Sequence, residues 1–174
     1  MKKIELQGLS GYMHDSDYPP LKVISANDYY AEILLEDYAG VDSECTAILQ
    51  YTYHQNVNRL VDEDVVDHLG KIILVEAMHR DILAQVIYML GTYPIYRSGT
   101  MSDRGYWNTK HVGYGRGLKE QLQNDLDMEY RSIKNYNTHI RLINDPYIKA
   151  ILARIVKDEE VHVKWIQYML EQYL

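Results

Sequence analysis

Two segments of this chain follow one pattern. "ECTAILQYTYH" (44–54) and "EYRSIKNYNTH" (129–139) both read Glu-x-x-(Ala/Ser)-Ile-x-x-Tyr-x-x-His. Each is followed by a Glu-x-x-His pair, Glu76-Ala-Met-His79 and Glu159-Glu-Val-His162. The step from lone Glu to paired Glu is 32 residues in the first half (76 − 44) and 30 in the second (159 − 129). A duplication at this spacing is a repeated helical hairpin, and two such hairpins predict a pseudo-two-fold fold.

Apolar periodicity supports that reading. Ile33, Leu34, Tyr38, Val41, Cys45, Ile48, Leu49 and Thr52 recur at steps of three and four. They predict a first helix from Asn27 or Asp28 to about Leu60, bent or loosened at Gly40. An acidic joint at Val61–Asp64 leads into a second helix reaching about Leu90, with Asp62 or Asp64 as its cap. Residues 91–115 are rich in glycine and have no helical period, so they predict a long crossover. A third helix is expected from about Arg116 to Leu142. Asp145 and Pro146 then form a natural N-cap and first helical residue for a fourth, running to the C-terminus. The expected fold is all-α: a four-helix bundle of two antiparallel hairpins over 28–174, behind an irregular lead-in at 1–27.

The spacing i, i+3 puts Glu and His on one helical face. In both pairs it is the apolar face. Glu76 and His79 lie in the stripe of Ile72, Ile73 and Leu83. Glu159 and His162 lie in that of Ile151, Leu152, Ile155 and Ile166. A carboxylate among apolar residues is costly unless a positive charge compensates it. One Glu-x-x-His arises easily by chance. Two on matched helices, each preceded by a matched lone Glu, converge four carboxylates and two imidazoles on the bundle axis. That set suits two metal ions bridged by carboxylates. The expected ligands are Glu44, Glu76, His79, Glu129, Glu159 and His162.

Tyr51 and Tyr136 lie seven residues past the lone glutamates, nearly on the same face. They either donate to the ligand carboxylates, sit beside the metals as redox-adjacent aromatics, or are core tyrosines bonded elsewhere. His54 and His139 fall about 80° off the ligand face and are not expected to ligate. His14, His68 and His111 have no supporting pattern, and Cys45 reads as a small core residue. Asp158 and Glu160 are expected to face solvent or a neighbouring helix, where either is placed to orient a histidine.

Composition narrows the alternatives. A net charge of −7 argues against nucleic acid or an anionic membrane as the partner. One cysteine excludes an intramolecular disulfide and an all-thiolate metal site. No apolar run is long enough to span a bilayer, and the first residues lack a secretory apolar core, so the expected location is the cytoplasm. The 17 tyrosines against no phenylalanine read mostly as compositional drift.

"SECTAILQYTYH", "VEAMHRDIL", "DLDMEYRSIKNY" and "KDEEVHVKW" resemble the four ligand-bearing helices of the ferritin-like di-metal carboxylate superfamily, in family order. The likeness covers about residues 30–174 and is nearest the rubrerythrin and bacterioferritin branches. It implies ligand roles for the same six residues, and two Fe ions, or alternatively two Mn ions, reacting with peroxide or dioxygen. The ions would sit about 3.5–4 Å apart. There are departures. A rubredoxin-like cysteine module is missing, and Leu126 stands where rubrerythrins carry an extra carboxylate, with Asp125 and Asp127 beside it. The expectation is therefore a peroxidase- or ferroxidase-like oxidoreductase with an unidentified external electron donor, assembled as a homodimer. The alternatives are iron storage in a cage, manganese-catalase-like disproportionation of peroxide, or a bundle without redox chemistry.

Overall fold

The computed structural model describes residues 8–173. Of the 1–27 lead-in, residues 1–7 lie outside the described ones, as does Leu174 at the far end. The helices are α1 (Asp28–Ala39), α2 (Glu44–Val57), α3 (Glu63–Met89), α4 (Leu118–Leu142) and α5 (Pro146–Glu171). α2 and α3 form one hairpin, α4 and α5 the other, and the long crossover joins them. The fold is the expected all-α four-helix bundle. Only two isolated β-bridges interrupt it among the described residues.

The first arm differs from expectation. The single helix predicted to reach Leu60 is two helices, broken over residues 40–43. Gly40 leaves the helical conformation at ψ −164°, and its N–H still bonds the Glu36 carbonyl. A Cβ at Gly40 would lie 2.5 Å from that carbonyl oxygen, so only glycine fits the approach. Ser43 restarts the helix by accepting the Thr46 N–H, and its hydroxyl donates to Gly40 O at 2.8 Å. Both pieces still lie along α3. Asn27 N–H bonds Leu90 O at one end, and Gln55 Nε2 donates to Val66 O at the other. The break shifts the helical phase, which leaves Val41 and Leu49 of the predicted stripe exposed.

The remaining caps follow the sequence. Asp62 accepts from Val65 N–H, and Asp145 accepts from Tyr147 and Ile148 N–H ahead of Pro146. Two apolar clusters fill the bundle. One joins α1 to the end of α3, the end of α4 and the start of α5, around Leu34, Leu83, Ile87 and Leu152. The other joins α2 to the opposite halves of α3, α4 and α5, around Leu69, Ile72, Leu122 and Ile166. Between them, at mid-height, lies a buried polar layer.

The two irregular segments are tied to the bundle. The crossover runs along α1 and α2. Arg97 pairs with Glu32 at 2.5 Å, Trp107 Nε1 donates to Thr46 Oγ1 at 2.9 Å, and Gly113 N–H donates to Gln50 Oε1 at 2.7 Å. The described part of the lead-in lies against α5, where Trp165 Nε1 donates to Gly11 O at 2.7 Å.

Candidate metal centre

The polar layer is built from one residue pair or single residue per arm. Glu44 opens α2 and Glu129 sits midway along α4. Glu76 with His79, and Glu159 with His162, occupy the middle of α3 and α5. All six are buried. Their ligand atoms form two groups, Glu44–Glu76–His79–Glu159 and Glu76–Glu129–Glu159–His162, and within each group the atoms lie within 4.8 Å of one another. Glu76 and Glu159 belong to both groups. The structure therefore brings together every residue of the expected ligand set.

The two histidines face inward through Nδ1. His79 Nδ1 is 3.1 Å from Glu159 Oε1, 3.2 Å from Glu76 Oε2 and 3.7 Å from Glu44 Oε1. His162 Nδ1 mirrors it, 3.1 Å from Glu76 Oε1, 3.0 Å from Glu159 Oε2 and 3.7 Å from Glu129 Oε1. Donors at right angles around an ion bound at about 2.1 Å stand roughly 3 Å apart, which is the spacing of each imidazole from Glu76 and Glu159, with the lone glutamates slightly farther off. Glu76 Oε1 and Glu159 Oε1, the shared carboxylates, are buried without a hydrogen bond among the described residues. Orphaned acceptors of this kind fit a cation. Four carboxylates also match the charge of two divalent ions.

Electrostatics say the same. Burial, and next the Glu76 carboxylate, push Glu44 and Glu129 well above the usual carboxylate range. Burial would raise Glu76 too, but the charge on His162 beside it wins and holds it well below. Burial opposes the charged form of His162, yet Glu76 and Glu159 push it up to about 9. Burial opposes the charged form of His79 as well, but Tyr18, Glu159 and Glu44 beside it and its bond to Asp158 raise it well above the usual imidazole range. Buried carboxylates packed this closely favour positive charge among them.

A ferritin-like domain model matches residues 39–173, most of the chain and all six of these side chains. The chain belongs to the ferritin-like domain family. No curated protein matches its sequence closely. Among solved structures, this ferritin-like chain superposes on KatB, a manganese catalase from Anabaena, with a TM-score of 0.82 at 19% identity. That match covers 92% of this chain and 80% of the other. It superposes on the bacterioferritin of Rhodobacter capsulatus at 0.70 with 22% identity, and on that of Mycobacterium tuberculosis at 0.68 with 23%. Both cover 86% of this chain and 88% of theirs. At these identities the likeness shows a common fold.

In this ferritin-like bundle the two tyrosines resolve cleanly. Tyr51 OH donates to Glu129 Oε1 at 2.7 Å, and Tyr136 OH donates to Glu44 Oε1. Each repeat's tyrosine thus serves the other repeat's lone glutamate. His54 and His139 stay outside the cluster, as expected, and pair instead with buried aspartates. His54 Nδ1 lies 2.8 Å from Asp125 Oδ1, and His139 Nδ1 lies 2.7 Å from Asp37 Oδ2. Glu160 is exposed. Of the two expected orientations for Asp158, the structure shows the second: it is fully buried against α3, and its Oδ2 lies 3.1 Å from His79 Nε2, where it orients that histidine. Sequence reasoning gave Asp37 and Arg154 no role. Arg154 could have been found from its i, i+4 step to Asp158, and Asp37 from its place two turns before Glu44.

Proposed function

We propose that the cluster is a two-metal redox centre, holding two iron or two manganese ions, that acts on peroxide or dioxygen. The observation carrying this reading is the convergence of four glutamates and two histidines into two overlapping groups that share Glu76 and Glu159. Glu44, Glu76, His79 and Glu159 would hold one ion. Glu76, Glu129, Glu159 and His162 would hold the other. When bound, such a pair supplies electron-transfer equivalents and coordination sites for a small oxidant.

The chain's own residues set the conditions for that chemistry. Tyr51 and Tyr136 hold the lone glutamates by their hydroxyls and keep one oxygen of each fixed. The apolar clusters above and below the layer exclude water along the axis. Reduction of peroxide draws its electrons from an external donor. Disproportionation draws them from a second peroxide molecule. The superposition on a manganese catalase supports the second route as the alternative within the same reading.

Metal analysis of protein purified without added metal, followed by peroxide and dioxygen turnover with and without a reductant, tests this. Two ions per chain are expected, in a particle of dimer rather than cage size. Glu129→Ala is expected to lose at least one ion per chain. Full metal retention in Glu129→Ala would sink the ligand set.

A further inference from the structure

The two halves of the centre differ at one atom. His79 Nε2 lies 3.1 Å from Asp158 Oδ2, whereas the buried His162 Nε2 has no hydrogen-bond partner among the described residues. The sequence explains the difference. Asp158 stands immediately before Glu159, and the residue standing before Glu76 is Val75, which is buried and offers no acceptor.

Asp158 is also held in place. Its carboxylate accepts from Arg154 Nη1 at 2.5 Å, Tyr18 OH at 2.5 Å and His14 N–H at 2.6 Å. Arg154 is itself buried. It donates Nε to Ser16 O at 2.7 Å and Nη2 to His14 O at 2.6 Å, and its guanidinium lies 4.3 Å from the centre of the Tyr18 ring. Residues 14–18 of the lead-in are therefore knitted, through one carboxylate, to a histidine of the cluster. Nothing equivalent among the described residues supports His162.

We propose that Asp158, locked by Arg154 and residues 14–18, makes the two metal positions unequal: the His79 position fills first and tightly, the His162 position second and exchangeably. This rests on the two-metal reading above. A carboxylate accepting from the second ring nitrogen fixes the tautomer and orientation of a ligating imidazole and raises its basicity. Loss of such a partner typically costs about 10–100-fold in metal affinity. Asp158 acts here as a positioning residue through His79.

Titration of the metal-free protein with Mn(II) alone tests the proposal, with free and bound ion followed by electron paramagnetic resonance and equilibrium dialysis. Wild type is expected to bind in two steps about 10-fold or more apart. At one equivalent it should show an isolated Mn(II) signal rather than that of a coupled pair. Asp158→Asn should weaken the His79 position by about 10–100-fold and leave the His162 position nearly unchanged, so that the two steps merge or exchange order. Tyr18→Phe removes a single donor to Asp158, so it provides a milder variant that should weaken the His79 position alone should Asp158→Asn not fold. Val75→Asp should tighten the second step. Two equal steps in wild type would overturn the inequality and leave the two-metal reading standing. Equal weakening of both steps in the variants would reduce Asp158 to a structural role and overturn the proposal. No binding of Mn(II), and none of Fe(II) titrated without dioxygen, would overturn both readings.

Discussion

Tyr51 and Tyr136 are among the largest fully buried side chains in the protein, and each spends its hydroxyl on a glutamate of the opposite repeat. Removing one hydroxyl leaves a buried carboxyl oxygen without its donor. Tyr51→Phe is expected to destabilise the metal-free protein by about 1–2 kcal/mol, read as a lower urea midpoint. His139 carries a different prediction. Burial disfavours its charged form, but the Asp37 carboxylate 2.7 Å away outweighs burial and raises its pKa. The folded value thus lies above the unfolded value of about 6.5. The contribution of His139 is complete below about pH 6.5 and fades as the pH rises through the folded value, while Asp37, itself raised by burial, takes up its proton at the acid end. In urea melts of metal-free protein, His139→Gln should lose less stability than wild type over that rise. Four of the six cluster residues were legible as acid–imidazole pairs at i, i+3 on apolar stripes, and Glu44 and Glu129 from the matched repeat that places one lone glutamate ahead of each pair. Asp158 was legible only in part: one step from a ligand it points about 100° away on a helix, to solvent or to a neighbouring helix, and only the second lets it orient a histidine. What buries it there is an irregular segment whose path no periodicity encodes.

The break between α1 and α2 shows the same limit for a longer stretch of chain. Apolar residues keep near-helical spacing on both sides of Gly40, so periodicity alone reads straight through it. Its effect appears when the repeats are compared. The aspartate that pairs with the other half's histidine lies seven residues before Glu44 (44 − 37) but four before Glu129 (129 − 125). The extra three residues are absorbed by the linker, which returns Asp37 to the depth that Asp125 reaches in continuous helix. Ser43 fixes this junction through its cap on Thr46 N–H and its bond to Gly40 O. Ser43→Ala is expected to cost about 1 kcal/mol in equilibrium unfolding. The cost should come with little change in metal content, since Glu44 is still carried by α2. The other helix ends were readable from Asp62, Asp145 and Pro146 because a cap is a local signal.

Ions in the polar layer would cross-link all four arms of the bundle at mid-height, between two apolar clusters that each hold only one end. Binding to the native state alone stabilises by mass action, about 2.7 kcal/mol at a hundredfold excess over the dissociation constant. For a chain of this length that corresponds to a rise of about 5–10 °C in melting temperature. Calorimetry with and without Mn(II) or Fe(II) checks it, and Glu159→Ala, which removes a ligand shared by both positions, should abolish most of the rise. Neither repeat, meanwhile, owns a complete binding position. The first group borrows Glu159 from the second half, the second borrows Glu76 from the first, and the tyrosines cross in both directions. The two halves are thus bound to a common history at these positions, because a substitution in one must be answered in the other. Away from them each is free to drift, as far as placing valine in one half where the other keeps an aspartate.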